Sequence, residues 1–178
     1  GITAGALHSW GDALFGTGQY EDALDKLERA AALYREIGNR AALGTVYNSI
    51  GRLYRAHGRL DDALQWQLKA LELHQTLGRS LEHMQSLNAV ATVHQFMGNL
   101  TKAREYYERA LALAEESSSP RIQNFLRANI ANLNLGLGQF ERAAATLEQV
   151  ITAGTDAYPS LRYGQLSFAQ LKLGRHQD

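Results

Sequence analysis

Apolar residues recur three and four apart over long stretches of this chain, which is the spacing of one face of an α-helix. In residues 4–17, Leu7, Trp10, Leu14 and Phe15 form such a stripe, and in residues 40–57 Val46, Tyr47, Ile50, Leu53 and Tyr54 form another. Single glycines interrupt the stripes. The pattern predicts nine helices, at about residues 4–17, 20–37, 40–57, 60–77, 79–97, 100–116, 121–137, 140–152 and 161–173. Local signals agree with these bounds. Glu21 and Asp22 put negative charge in a first turn, where the helix dipole favours it. The stretch Ser117-Ser118-Ser119-Pro120 offers an N-cap serine and a proline for the first helical position, and Pro159 can open the last helix.

The breaks are periodic. Gly18, Gly58, Gly98 and Gly138 stand forty residues apart, and Gly174 follows after thirty-six. Five and twelve residues after each comes a small residue: Ala23 and Ala30, Ala63 and Ala70, Ala103 and Ala110, then Ala143 with Val150 in the last slot. Seven residues before each glycine is another, in the order Gly11, Gly51, Ala91, Ala131 and Ser167. A fixed period of this length marks stacked repeats. Each glycine can take the positive φ that ends one helix, and small residues on both helices of a pair let them cross closely. The chain stops before the slot five residues after Gly174 is filled, so the expectation is a fragment of a larger protein, or an end that packs on another chain.

The order of small residue, aromatic, Gly, Ala and Ala, as in Ile50 to Leu71 (IGRLYRAHGRLDDALQWQLKAL), resembles the tetratricopeptide repeat. The period is forty, not the thirty-four usual in that family. With junctions such as Ile37-Gly38-Asn39-Arg40 and Leu77-Gly78-Arg79, it is similar to the repeats of bacterial multidomain transcriptional regulators and signalling ATPases. It also resembles Leu-Gly-Asn-repeat polarity adaptors and, more distantly, kinesin light chains. The resemblance implies an all-α fold, a right-handed superhelical solenoid of antiparallel helix pairs with about four and a half repeats. As one domain over residues 1–178, the repeats fall at about 4–38, 40–78, 80–117, 120–154 and an incomplete 159–178.

In such a solenoid the first helix of each pair lines a concave face on which an extended partner can lie. Counting three before, one after and four after each small residue gives the inward positions. They are His8, Asp12 and Phe15; Asn48, Arg52 and Arg55; Asn88, Thr92 and Gln95; Ala128, Asn132 and Leu135. Most are polar. Asn48 and Asn88 are one period apart, and their amides can both donate to and accept from a peptide backbone, or serve the scaffold alone. Arg52 and Arg55 are placed to clamp a carboxylate, or to pair with acidic residues of neighbouring helices.

Composition narrows the function. Eighteen basic residues balance eighteen acidic ones, so no global field steers the chain to nucleic acid or an anionic membrane. No apolar run approaches the roughly twenty residues of a membrane span, and there is no leader-like start, so a soluble cytoplasmic protein is expected. The absence of cysteine excludes disulfides and thiolate chemistry. No two histidines stand four apart, and His94 occupies the place of Tyr54 in the preceding repeat, which reads as packing; no metal and no cofactor is expected. The segments GTGQYE and GLGQFE lie between helices, where a dinucleotide fingerprint would follow a strand, so no enzyme is expected. Trp10, Trp66 and most tyrosines are assigned to the core, with one of Tyr106 and Tyr107 facing out.

The expected function is therefore a protein-interaction scaffold that grips a peptide or partner domain in its groove. The alternative is the sensor arm of a bacterial transcriptional regulator or signalling ATPase. An RNA-binding helical repeat ranks last, because Arg52 and Arg55 alone do not make a basic stripe. Self-association through Tyr163, Leu166, Phe168, Leu171 and Leu173 of the last helix is a further expectation.

Overall fold

In the computed structural model, the turn at Gly58 shows why the chain folds back every twenty residues. Gly58 has φ 73°, the left-handed region, and its N–H donates to the Arg55 carbonyl at 3.0 Å. The Arg59 N–H donates to Tyr54 O, also at 3.0 Å. The last carbonyls of the helix are thus satisfied by the turn, and a residue with a Cβ would be strained there. The same positive φ recurs at every anchor glycine of the forty-residue comb. At the starts, the Asn39 side chain accepts from Ala42 N–H at 3.1 Å and Thr3 accepts from Ala6 N–H at 3.2 Å, as helix caps do.

The structure describes residues 3–78, 80–117, 119–154 and 158–174. The expected helix start and junction at Arg79, Ser118 of the serine linker, residues 155–157 of the last loop and residues 175–178 lie outside the described residues. Among those described there are nine helices: α1 (Ala4–Gly16), α2 (Tyr20–Glu36), α3 (Arg40–Ala56), α4 (Leu60–Thr76), α5 (Ser80–Phe96), α6 (Leu100–Glu116), α7 (Pro120–Gly136), α8 (Phe140–Thr152) and α9 (Pro159–Lys172). They follow one another as antiparallel pairs, about four and a half in all. Most end one residue earlier than their hydrophobic stripe, because the residue before each turn glycine serves as the cap. Pro120 opens α7 as expected, while Ser119 holds the N-cap position without a side-chain bond.

The chain divides into two compact units, the first ending at Met97 and the second starting at Gly98. In the first, α1 to α5 pack each on the next, and α1 also touches α3, as α3 touches α5. The first helices of successive pairs therefore lie side by side. The core runs through Leu7, Leu27, Val46 and Ile50, all essentially inaccessible. Ala23, Ala30, Ala63 and Ala70 are fully buried at the helix crossings. A Cβ on Gly11 would fall 2.7 Å from Leu27 Cγ and 3.2 Å from the Ala23 carbonyl, so the glycine is what lets α1 approach α2.

In the second unit α6 to α9 pack in the same sequential way, and α7 touches α9. Its core holds Ala103, Tyr107, Ala131, Leu133 and Leu147. Tyr107 is buried and Tyr106 half-buried, so the adjacent tyrosines do divide between core and surface. Two core assignments need correction. Trp10 is 48% exposed, on the outer side of α1, with Lys26 Nζ 4.9 Å from its ring centroid. Ser167, expected at a helix crossing, is exposed on α9. Tyr163, Phe168 and Leu171 of α9 are exposed, while Leu166 and Leu173 are half-buried.

Candidate functional site

The face made by α1, α3 and α5 in the first unit carries a cavity of about 350 Å³. Its walls include Asp12 of α1, Asn48, Arg52 and Arg55 of α3, and Asn88 and Thr92 of α5. Six of the nine polar positions picked from the repeat register thus border one space. The register works because a helix crossing fixes which way its neighbours point: residues three before and four after a buried small residue flank that contact on the same helix face. His8 stands beside the cavity, tied to its wall. Gln95 is half-buried on α5 and is not part of the lining. Asn132 belongs to α7 of the second unit, where it is exposed and accepts from Gln165 Nε2 at 3.2 Å. The matching positions around it, Ala128 and Leu135, are apolar, so the polar ladder is confined to the first unit.

Charge within the site is organised around Asp12. Arg52 Nη2 lies 2.7 Å from Asp12 Oδ1, and His8 Nε2 lies 3.3 Å from Asp12 Oδ2 and 3.1 Å from Ser49 Oγ. The Arg52 guanidinium sits 5.3 Å from the Phe15 ring centroid, and Arg55 sits 5.2 Å from that of Phe96. Both arginines thus lie over aromatic rings within the range of a favourable cation–π contact. The Arg52 pair is largely exposed and contributes little to stability, on the order of 0–1 kcal/mol. Its role is to orient.

Burial holds the His8 imidazole below its ordinary pKa, and Arg52 pushes the same way against the opposing pull of Asp12. A histidine with a depressed folded-state value favours the native state while neutral. That contribution is present above the unfolded-state value, near about 6.5, and is lost progressively as pH falls from there through the lower folded-state value. A His8→Gln chain is therefore expected to lose less stability than the wild type between pH 7.5 and pH 5, relative to its own value at pH 7.5. Denaturant titrations of both chains at each pH check this; parallel pH profiles would contradict it.

Behind the face lies a buried polar chain that the sequence pattern did not single out. Asn48 Nδ2 donates to Ser86 Oγ at 3.0 Å, and Ser86 Oγ is 2.9 Å from His74 Nδ1. Gln67 of α4, 3% exposed, donates from Nε2 to the Asn48 backbone carbonyl at 3.1 Å. Its Oε1 is buried with no hydrogen-bond partner, although the side chain lines the cavity. An unpaired buried acceptor costs about 1–3 kcal/mol. The signal was available in the register, since nine residues after each anchor glycine the slots read Leu27, Gln67, Tyr107 and Leu147. A Cβ on Gly51 would lie 2.6 Å from Gln67 Nε2, so Gly51 makes room for the amide as Gly11 does for Leu27.

Among the described residues no cluster of three or more histidine and acidic side chains is arranged to hold a metal ion. None of the described helices is long and apolar enough to cross a membrane.

Residues 2–76 and 81–156 match the sequence profile described as tetratricopeptide repeat. A comparison with curated proteins gave no match. Several solved structures share the fold. The nearly identical repeats of a putative kinesin light chain from Podosopora anserina superpose with a TM-score of 0.79 at 20% identity, covering 97% of this chain and 87% of that one. A signal transduction ATPase with numerous domains and a tetratricopeptide repeat sensor, from Pyrococcus horikoshii, gives 0.79 at 20% identity, covering 95% of this chain and 26% of that one. The Rap conjugation gene regulator of the plasmid pLS20, in complex with the Phr* peptide, gives 0.78 at 19% identity, covering 96% of this chain and 48% of that one. The chain thus spans about a quarter of the ATPase and about half of the Rap regulator. With helix pairs at a forty-residue period, small residues buried at their crossings and a profile match over most of its length, the chain belongs to the tetratricopeptide repeat family.

Proposed function

We propose that the α1, α3 and α5 face binds a peptide segment of a partner protein. The observation that supports this most directly is the cavity itself. It is concave and lined by amides, hydroxyls and two guanidinium groups from helices that lie side by side, which is chemistry suited to a peptide backbone and its polar side chains. Asn48 and Asn88 repeat along the face one period apart, on neighbouring helices whose usual spacing of about 8–10 Å corresponds to about three residues of an extended peptide. The Rap regulator of similar fold was solved with a peptide bound, which fits this reading.

A second reading follows from the fold likeness to an ATPase described as having a tetratricopeptide repeat sensor. In it, this chain is the sensor part of a larger regulator, and peptide binding is the signal. The two readings share one site and differ only in what the bound state controls.

The test is to pan a displayed library of random peptides on this chain, then measure affinities by fluorescence anisotropy for the wild type and for Asn88→Ala and Arg52→Ala. Each substitution is expected to weaken the best binders by about tenfold, the loss of roughly one hydrogen bond or polar contact, with the melting temperature nearly unchanged. Peptides that bind equally well to both variants would place the site elsewhere.

A further inference from the structure

The floor of the cavity is more selective than its walls. In the other three repeats the slot of Gln67 is filled by Leu27, Tyr107 and Leu147, all buried, so the scaffold has no need of a carboxamide there. Gln67 departs from this. Its nitrogen faces the Asn48 carbonyl, because turning the amide over would set two oxygens against each other, and this fixes Oε1 as the orphan. The unmet group is therefore specifically an acceptor, itself closed off, on a side chain that lines a space a ligand side chain can enter; a donor arriving there reaches Oε1 as the groups now covering it shift aside.

Resting on the peptide-binding reading of this face, we propose that Gln67 is a specificity-determining residue that selects peptides carrying an asparagine or glutamine side chain at the position over the cavity. The carboxamide N–H₂ donates to Gln67 Oε1, and its carbonyl accepts from a donor on the wall, such as the Arg52 or Arg55 guanidinium. Other side chains fit this pair of demands less well. A lysine or arginine could donate, but it would enter between two guanidinium groups. A carboxylate suits the arginines but turns an acceptor toward Gln67 Oε1 and toward Asp12. An aliphatic side chain leaves Oε1 unpaired in a space it has dried. Serine and threonine can both donate and accept, but through a single oxygen, whereas a carboxamide presents its donor and its acceptor on separate atoms.

The experiment uses the whole chain and a Gln67→Leu variant, which copies the Gly11 and Leu27 pairing already present in the first repeat and so has a precedent for folding. Random displayed peptides are panned on both. The best wild-type binders are then remade with the anchor residue changed from Asn or Gln to Asp, Glu or Leu. The expected result is an Asn or Gln preference on the wild type, with about a tenfold loss of affinity for each replacement. Gln67→Leu should melt no lower than the wild type and should lose that discrimination. Peptides that bind with another preference, or with the same preference on Gln67→Leu, overturn this proposal and leave the peptide site standing. A wild-type chain that selects no peptide overturns both.

Discussion

Leu27→Ala is expected to destabilise the first unit by about 2–5 kcal/mol, and to lower its melting temperature by roughly 10 °C or more. Leu27 is fully buried, and its Cγ and Cδ2 fill the space that the missing side chain of Gly11 leaves on α1. Truncating it removes apolar contact and also opens a void between two helices whose backbones already touch through Gly11 and Ala23. They cannot close further to fill it, so the cost belongs toward the upper part of the range. Leu68→Ala on the same kind of helix is the control: Leu68 is 41% exposed, and the change should stay within about 0.5 kcal/mol. Thermal and denaturant melts followed by circular dichroism check both. A Leu27→Ala chain as stable as the control would mean that α1 is not held on α2 by this slot.

The same slot shows what the sequence did and did not disclose. The comb of glycines and alanines carried the architecture because each mark answers to one local demand: a positive φ at the turn, or a side chain small enough for a crossing. Those demands leave few residue choices, so Gly18, Gly58 and Ala63 could be read directly. The groove positions followed from the same marks, and His8, Asp12, Asn48 and Arg52 do stand together. What the pattern missed has a physical reason as well. Trp10 sits on a helical stripe, but α1 has a packed neighbour on only part of its circumference, so the stripe is wider than the buried strip. Gln67, Ser86 and His74 were passed over because their roles depend on contacts between helices, and hydrogen bonds such as Asn48 to Ser86, thirty-eight residues apart, leave no spacing signal. Only comparison of equivalent slots reveals them, Gln67 where Leu27 stands and Ser86 where Val46 stands.

Gly44→Ala probes that hidden layer. A Cβ at Gly44 would meet the His74 ring broadside, 2.5 Å from Nε2, 2.9 Å from Cδ2 and 3.1 Å from Cε1. His74 is 1% exposed and its Nδ1 is held 2.9 Å from Ser86 Oγ, so the ring cannot back away without stretching that bond. Ordinarily alanine in place of a helical glycine gains about 1 kcal/mol. Here overpacking, on the order of 1–3 kcal/mol, and the disturbed buried hydrogen bond, about 1 kcal/mol, outweigh that gain. A net destabilisation of about 1–3 kcal/mol is expected. Gly136→Ala, at a helical glycine with nothing within 4 Å of the added carbon, should be neutral or stabilising in the same assay. The consequence reaches the candidate site. Ser86 is also what Asn48 Nδ2 bonds to, so a displaced His74 and Ser86 free a wall of the cavity. Peptide affinity should then fall in a chain that is still folded. If stability falls and affinity does not, Asn48 needs no support from Ser86 to hold its place, and the buried chain belongs to the scaffold alone.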